Sequence, residues 1–226
     1  MFTIENELFK KFYTIIIWKD QKCFLVSTIK SRLTMINANE FPWIEAGYDL
    51  FALKGPDGLK IETLARKVRI SKSSFYHHFV DMEIFTKRLM EHHLICATKM
   101  AAKAKTCKAI IPDYVMVLVE FKNDLFFNRQ LRIHRDNLAF QLCYERAVSI
   151  VQAEYIGIWS EMLGMEYSQE VAHNILKVVT DLFYQRMTPE ALSQEWILKF
   201  LDDVTVFLSD VIKGSGLQVA IKNSDY

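Results

Sequence analysis

The sequence predicts an all-α protein in which a small N-terminal helical head precedes a larger helical body. Only 7 of the 226 residues are Gly and 4 are Pro, and 51% of the residues are hydrophobic. Apolar residues recur at three- and four-residue spacing over long stretches, which is the period of an α-helix. No alternation of short apolar strands with helical segments is visible, so the sequence does not predict a parallel α/β sheet.

The first helix is predicted over residues 40–54, with Ile44, Leu50 and Phe51 on its buried side. Residues 55–58, Gly-Pro-Asp-Gly, follow it directly. Because glycine and proline both disfavour helical backbone, we expect the helix to end there.

Residues 59–79 contain two short helical patterns separated by a tight corner. In the first pattern the apolar positions share one helix face and are Ile61, Leu64, Ala65 and Val68. The charged positions of that pattern face outward and are Lys60, Glu62, Arg66 and Lys67. The second pattern begins at Ser71, whose hydroxyl is expected to cap the helix, and it buries Phe75 and Phe79 one turn apart. Its outward positions are Lys72, Ser73, Tyr76 and His77.

Two short helices that meet at a tight corner, with hydroxyls, a cation and aromatic tips on the exposed face of the second, are typical of a helix-turn-helix. A recognition helix enters a DNA groove about 12 Å wide, which favours short side chains such as Ser73 and Ser74 at its start. The free backbone amides of its first turn also attract phosphate. The pattern therefore predicts DNA binding.

Positive charge is concentrated around this corner. Residues 54–72 contain six cations and two acids, a local charge of +4, and the whole chain carries +1, which leaves −3 for the rest. A basic head on a mildly acidic body favours local attraction to phosphates over a general affinity for polyanions. The alternative is an ordinary solvated helix face.

The order and spacing of residues in this region resemble the DNA-binding domain of TetR-family transcriptional repressors. The matching positions are Leu64-Ala65, Ile70-Ser71, residues 73–79, Asp81 and Glu83, preceded by Ala46, Leu50, Phe51 and Gly55. The likeness runs from about residue 43 to residue 89, and beyond it only length and helical pattern are similar. The resemblance implies a homodimeric transcriptional regulator that binds a palindromic operator in double-stranded DNA and is released by a small-molecule effector.

By this resemblance, Lys72, Ser73 and His77 are candidates for contact with the DNA groove, together with Ser74. The candidates for contact with phosphate are Lys60, Thr63, Arg69, Ser71 and Tyr76.

Three positions depart from the family pattern. Arg69 stands where the corner usually carries Gly, so the corner is either built differently or holds Arg69 in a left-handed conformation that costs roughly 1–2 kcal/mol. Met82 stands where a Lys commonly begins the fourth helix. The helix that starts near Lys60 has no Ser or Thr cap, which leaves Gly58 as the substitute.

Asp81 is predicted to cap a long fourth helix, with Val80 and Phe85 packed together at its start. The alanine-rich residues 100–104 continue this helix, and Pro112 marks a new start. The resemblance implies that this helix connects a ligand site in the body to the DNA-binding head, so that a change at one is transmitted to the other.

Residues 113–164 are predicted to be helical, with many aromatic side chains mixed among polar ones. The resemblance implies that this region encloses a small-molecule pocket, whose residues the sequence does not identify. The alternative is an ordinary helical core, where most aromatic side chains of folded proteins lie.

The last two helices are predicted to form a homodimer through a four-helix interface. Ser168 is expected to cap the first of them, while Thr188 and Pro189 open the second, which ends at Gly214. The final helix has two adjacent apolar seams, a wider face than one neighbour needs. The candidate interface residues are Val178, Leu182, Phe200, Leu201, Val204, Phe207, Leu208 and Val211. The alternative is that both seams are buried within one subunit.

The predicted organisation is an N-terminal extension over residues 1–34, a head over residues 35–88, an effector-binding and dimerisation body over residues 89–214, and a tail over residues 215–226. Because chains of the family usually begin shortly before the first helix, Met35 is predicted to be the natural start. The alternative is a basic and aromatic anchor at a membrane surface, since the apolar run over residues 12–18 is too short to span a bilayer.

Other chemistry is not indicated. The pairs His77-His78 and His92-His93 point about 100° apart on a helix, and no Cys or carboxylate completes a metal-ligand set. No nucleophile elbow, phosphate-binding glycine loop or dinucleotide fingerprint occurs, so we expect neither an enzyme nor a cofactor. Four Cys without CxxC spacing favour reduced thiols and a cytoplasmic location. The main alternative function is a ligand-binding or protein-interaction homodimer whose helix-turn-helix no longer reads DNA.

Overall fold

The computed structural model describes residues 39–164 and 169–214, and within these residues the chain is helical apart from short turns. The helices are α1 (Phe41–Lys54), α2 (Ile61–Val68), α3 (Lys72–His78), α4 (Met82–Ala104), α5 (Val115–Glu120), α6 (Lys122–Ile133), α7 (Leu138–Met162), α8 (Gln169–Arg186) and α9 (Gln194–Gly214). A 3-10 turn over Pro56–Gly58 follows α1, and a π-helical turn over Ile110–Tyr114 precedes α5. The predicted all-α fold class is confirmed.

The first helix follows its predicted pattern. Ile44, Leu50 and Phe51 are buried on one side of α1, and the helix ends at Lys54 directly before Gly55. Gly55 has φ 67° and ψ −162°, a conformation that glycine adopts readily and residues with a side chain do not. Its amide donates to the Phe51 carbonyl at 2.7 Å, which closes the last turn of α1.

Helix α4 begins in the head, which we define as residues 43–88, and continues into the body, residues 89–210. The predicted Asp81 cap is confirmed, because Asp81 Oδ1 accepts a hydrogen bond from the Ile84 amide at 2.8 Å. Phe85 and Leu89 are buried near its start, and His93 and Met100 are buried further along. The described residues from Trp43 onward form one compact unit, so the predicted boundary between residues 88 and 89 falls inside a continuous helix.

The predicted packing of Val80 against Phe85 is wrong. Val80 is 78% exposed, whereas Phe85 is completely buried. Phe85 instead packs on Gly47 of α1, where an added Cβ atom would lie 2.5 Å from Phe85 Cζ. The close approach of α1 and α4 therefore depends on a residue without a side chain at position 47.

The body is built around α7, which packs against α4, α6 and α8. Its inward side chains include Phe140, Val151, Tyr155 and Trp159. No helix among the described residues is long and apolar enough to cross a membrane.

The predicted start of the last helix at Thr188 and Pro189 is wrong. Thr188 Oγ1 accepts from the Ala191 amide at 3.2 Å and so caps only a turn. Helix α9 begins at Gln194, where Ser193 Oγ accepts from the Trp196 amide at 3.2 Å. The described part of α9 extends to Gly214, and the residues that follow lie outside the described residues, so the predicted end there stays a prediction.

The predicted extension over residues 1–34, the cap at Ser168 and the tail over residues 215–226 lie outside the described residues.

Candidate nucleic-acid interface and body cavity

The helix-turn-helix corner is built from α2, the residues 69–71 and α3. Arg69 ends α2 with φ 58° and ψ 36°, a left-handed conformation for a residue with a side chain. The Ile70 amide donates to the Ala65 carbonyl at 3.1 Å across this corner. Of the two predicted possibilities, the corner therefore takes the strained one, at a cost of roughly 1–2 kcal/mol.

An aromatic cluster holds α3 in place. Phe75 is completely buried, and its ring centroid lies 5.4 Å from that of Trp43, 5.1 Å from Phe79 and 5.3 Å from Phe85. These four rings come from α1, from α3 and its C-cap, and from α4. The buried face of α3 is thus held by these aromatic contacts, and its opposite face is left open to a partner.

The exposed face of α3 carries the predicted DNA-binding residues. The side chains exposed there or at the helix start are those of Ser71, Lys72, Ser73, Tyr76 and His77, while Ser74 is half-buried. Ser73, Tyr76 and His77 are separated by three and four residues and so share one side of the helix. His78, the next residue on α3, is half-buried.

Ser71 is the N-cap of α3 as predicted, but its hydroxyl does not cap the helix. Its Oγ lies 2.9 Å from Ser73 Oγ instead, and the Ser74 amide donates to the Ser71 carbonyl at 3.0 Å. The N-cap of α2 is Lys60 rather than Gly58, and it also lacks a side-chain cap. Neither helix of the corner therefore has its first-turn amides satisfied by a side-chain cap.

The cations of the head divide into paired and unpaired groups. Lys67 Nζ lies 2.9 Å from Asp49 Oδ2, and Lys72 Nζ lies 2.6 Å from Glu62 Oε1. The hydrogen bond from Lys72 lowers the pKa of Glu62, so the Glu62 carboxylate is ionised at neutral pH. The exposed cations of the head without an ion-pair partner among the described residues are Lys54, Lys60, Arg66, Arg69 and Lys87. Of these, Lys60 and Arg69 are the ones predicted to contact phosphate. Thr63, also predicted to contact phosphate, is half-buried on α2.

Residues 44–85 match the family model for bacterial regulatory proteins of the tetR family. This segment is a TetR-family DNA-binding domain. It contains almost all of α1, the whole helix-turn-helix and the start of α4, so the recognition made from residues 43–89 is confirmed.

The fold is also similar to the 1.54 Å crystal structure of a protein from Mesorhizobium loti MAFF303099 that is described as belonging to the TetR family of transcriptional regulators. The two proteins share 14% sequence identity with a TM-score of 0.51, over 76% of this chain and 96% of the other. At this identity the likeness concerns the fold alone. A sequence search of the curated proteins found no match. The TetR-family domain within this fold makes the protein a transcriptional regulator.

The predicted dimerisation residues fall into two groups. Val178 and Phe207 are 69% and 64% exposed, and Leu182 and Leu208 are half-buried. Phe200, Leu201 and Val204 are instead buried within the subunit. The apolar face of α9 thus packs partly into its own subunit and stays partly exposed at Phe207, so the choice between the two interpretations of the seams stays open. The Val211 side chain lies outside the described part of the chain.

A cavity of about 90 Å³ lies in the body and is lined by the six helices from α4 to α9. Its wall includes aromatic side chains from the predicted effector region and beyond it, namely Tyr114, Tyr155, Trp159, Phe183, Tyr184 and Phe200. Burial raises the pKa of Tyr155 to about 12 and also raises those of Tyr114 and Tyr184, so these phenols are neutral. No charged side chain is among the residues that line the cavity.

Polar groups occur at two places in the wall. Gln152 Nε2 donates to Thr180 Oγ1 at 3.2 Å, and Asn128 from α6 lies at the side that faces α4. The Trp159 indole N–H already donates to the Ala172 carbonyl at 3.1 Å. The cavity is therefore mostly apolar, with a few amide and hydroxyl groups that can hydrogen-bond a ligand.

A buried polar cluster connects the cavity wall to the head. Asn128 Oδ1 lies 2.9 Å from His93 Nε2, and the Tyr48 hydroxyl lies 2.6 Å from His93 Nδ1 and 2.6 Å from Asp124 Oδ1. Tyr48 and His93 both stack on Phe127, with ring centroids 4.4 Å apart in each case. We call Tyr48, His93, Asp124 and Asn128 the polar relay; it joins α1, α4 and α6.

The hydrogen bonds of the polar relay allow two arrangements with neutral His93, and the second contains one proton more than the first. In the first, His93 Nδ1–H donates to the Tyr48 oxygen and Tyr48 donates to the Asp124 carboxylate, so His93 Nε2 is an acceptor. In the second, His93 Nε2–H donates to Asn128, Tyr48 donates to His93 Nδ1, and Asp124 donates to Tyr48 as a neutral acid. Burial raises the pKa of Asp124, which is the direction that the second arrangement requires.

The residues of the polar relay are not among those predicted to be functional, and His93 enters those predictions only as a possible metal ligand beside His92. No group of three metal-ligating side chains occurs among the described residues. One signal was available, because Asp124 and Asn128 are four residues apart and so share a helix face. Tyr48, however, is 76 residues from Asp124 in the chain, and only the packing of α1 on α6 brings them together.

Proposed function

We propose that this protein is a homodimeric cytoplasmic repressor that binds a two-fold-related operator in double-stranded DNA and is released by a small-molecule effector. The observation that carries this proposal is the division of α3 between a fully buried anchor, Phe75, and an exposed face with Lys72, Ser73, Tyr76 and His77. A recognition helix needs this division, because it must be held rigidly while its other face meets base edges. The cavity in the body supports the effector.

Lys72 is the residue whose role is most specific in this proposal. Its ammonium pairs with Glu62 on α2, where both side chains are exposed to solvent. Because water and salt screen such a pair, the ammonium can exchange Glu62 for a DNA acceptor. Glu62 would then hold Lys72 in position before DNA binds.

The first experiment is selection of bound sequences from random duplex DNA, followed by affinity measurements with Lys72→Ala. We expect a palindrome and a loss of about 1–3 kcal/mol in binding the selected duplex with the variant, measured at several salt concentrations. Lys105→Ala is the matched control, because Lys105 is an exposed lysine just after the far end of α4. Enrichment of no sequence would instead favour a ligand-binding or protein-interaction dimer that does not read DNA.

The homodimer is proposed to use the apolar side chains that α8 and α9 leave open. On α8 these follow a helical stripe of Val171, Ile175, Val178 and Leu182, the first and third of which are 47% and 69% exposed. On α9 the open side chains are Val206 and Phe207, at 55% and 64% exposure. Exposed apolar side chains grouped on two neighbouring helices are typical of an interface.

The dimer is tested by Val178→Asp combined with Phe207→Asp, because a charge on each side chain would be buried by dimerisation. We expect sedimentation at micromolar concentration to give a dimer for the natural protein and a monomer for the double variant. Leu138→Asp, at a 66% exposed position on α7, is the control and should remain dimeric. A natural protein that sediments as a monomer would contradict the proposal. A two-fold dimer should separate its two α3 helices by about one DNA turn, roughly 34 Å.

A further inference from the structure

Asn128 takes part in both the body cavity and the polar relay. It lines the body cavity, and its Oδ1 lies 2.9 Å from His93 Nε2 in the polar relay. The Tyr184 hydroxyl on the cavity wall also interacts with the Asn128 amide. Asn128 is 6% exposed, so its hydrogen bonds are made to these groups or to a ligand in the cavity, rather than to bulk water.

The orientation of the Asn128 amide selects between the two proton arrangements of the polar relay. When Oδ1 faces His93, the ring must present Nε2–H, and Tyr48 then donates to His93 Nδ1. When the amide is turned by 180°, Nδ2–H donates to Nε2, and the ring carries its proton on Nδ1 and donates it to the Tyr48 oxygen. Tyr48 then donates to Asp124, which must first release its own proton to solvent, and its half-buried carboxyl allows this. A group that fixes the amide from the cavity side therefore also fixes the direction in which Tyr48 donates.

Tyr48 lies on α1, five residues after Trp43, which packs on Phe75 of the recognition helix with ring centroids 5.4 Å apart. The path from the cavity to α3 thus runs through direct contacts: Asn128, His93, Tyr48, α1, Trp43 and Phe75. Each step is a hydrogen bond or a ring contact between buried groups, apart from the single stretch along α1.

We propose that Asn128 is the residue through which the cavity controls the head, and that the cavity takes an uncharged, mostly apolar ligand with one hydrogen-bonding group that engages Asn128. This inference rests on the proposed function for its biological meaning. An ion is disfavoured because the wall has no charged side chain to compensate for the loss of its hydration. A purely apolar ligand would leave the Asn128 amide free to turn and would not select either arrangement.

The size of the cavity limits the ligand. Its volume of about 90 Å³ is smaller than the roughly 150 Å³ cavity that accepts a benzene ring. A ligand with one aromatic ring therefore requires a small movement of the wall, and the flexible Met100 side chain allows this. Larger ligands would require helices to move apart.

The experiment uses the full chain labelled with 5-fluorotryptophan, because Trp159 lines the cavity and Trp43 lies in the head. Their fluorine NMR signals, assigned with Trp→Phe variants, report on the two regions separately. The probes are benzamide, benzoate and benzamidinium, which have nearly the same shape and differ in charge. We expect benzamide to shift both signals, and the two ions to bind at least about tenfold more weakly.

The variant Tyr48→Phe removes the hydroxyl and keeps the ring stacked on Phe127. We expect benzamide to shift the Trp159 signal as before and to leave the Trp43 signal nearly unchanged. Tyr144→Phe is the control, since Tyr144 is a partly buried tyrosine outside the relay and the cavity wall, and here both signals should move. If Tyr48→Phe fails to fold, His93→Phe interrupts the same path with a ring of similar size.

Three results would overturn the inference: a Trp159 signal that benzamide does not shift, binding of either ion as tight as that of benzamide, or a Trp43 shift that persists without the Tyr48 hydroxyl. No DNA is present in the experiment. A protein that transmits the signal from Trp159 to Trp43 but selects no duplex sequence would therefore support this inference and contradict only the proposed function.

Discussion

The head and the body place their polar groups in opposite positions. In the head, Lys72, Tyr76 and His77 are exposed on α3, while the interior is a cluster of aromatic rings. In the body, His93 and Gln152 are buried, and the surface of α8 and α9 exposes apolar side chains such as Val178. The same fold therefore has a charged, solvated surface in the head and a mostly apolar cavity in the body.

This difference has a consequence for how each region responds to its surroundings. Exposed ion pairs in the head are screened by salt, so contacts of the head with DNA should weaken as ionic strength rises. The buried groups of the body are shielded from salt, but burial changes their protonation. Burial lowers the pKa of His93 to about 4 and also lowers that of His92. It raises the pKa of Cys96 to about 12 and raises that of Asp124.

The largest expected effect is a dependence of stability on pH that comes from the body. Unfolded His93 binds a proton near its usual pKa of 6.5, whereas folded His93 stays neutral down to about pH 4. The unfolded chain therefore binds more protons between these values, so stability falls as pH falls, by up to about 1.4 kcal/mol per unit. We expect a free energy of unfolding about 2 kcal/mol lower at pH 5 than at pH 7, measured by urea denaturation.

Substitutions assign this effect to the body or to the head. His93→Phe keeps the ring contacts and should flatten the pH dependence, whereas His77→Gln, at an exposed position of the head, should not change it. Burial also lowers the pKa of His92, which acts in the same direction, while the raised pKa of Asp124 opposes it at the acid end. An unchanged slope in His93→Phe would show that the relay does not exclude protons in the folded state.

A smaller effect is expected at the end of α1. Gly55 has a positive φ, and an added Cβ would lie 2.8 Å from both Gln130 Oε1 and His134 Nε2 of the body. These side-chain ends can move aside, so the positive-φ backbone should dominate. We expect Gly55→Ala to lower the free energy of unfolding by roughly 1–2 kcal/mol, measured by thermal unfolding. Gly157→Ala is the matched control on α7, with nothing within 4 Å of an added Cβ. It should stabilise by about 0.5–1 kcal/mol, and equal effects of both variants would contradict this account.

The smallest effect is expected at the corner of the helix-turn-helix. Arg69→Gly relieves the left-handed strain and should raise the free energy of unfolding by about 1 kcal/mol. If Arg69 contacts phosphate as predicted, the same variant should weaken DNA binding uniformly and reduce the salt slope by about 1. Opposite signs for stability and affinity would separate backbone strain from phosphate contact at one residue. A gain in stability with unchanged DNA affinity would leave Arg69 as a strained corner only.

Predictions from the sequence succeeded where neighbouring residues decide the outcome. The end of α1 at Gly55, the cap at Asp81 and the division of α3 between Phe75 and its exposed face depend on spacing within one or two turns. The predictions failed where two favourable local patterns compete. Thr188 with Pro189 is a good helix start, but Ser193 starts α9 instead, because the intervening residues form a turn capped by Thr188.

The sequence by itself determined the helices, the helix-turn-helix and its family, because helical period, caps and corner spacing are local properties of the chain. Only the tertiary structure decided which apolar faces stay open. It buries Phe200 and Val204 in the subunit and leaves Phe207 exposed on the same helix. It also brings Tyr48 and Asp124 together across 76 residues, and it sets the cavity between helices that are distant in sequence. Apolar periodicity predicts which face of a helix is apolar. It does not predict what packs against that face, because the hydrophobic effect is not directional.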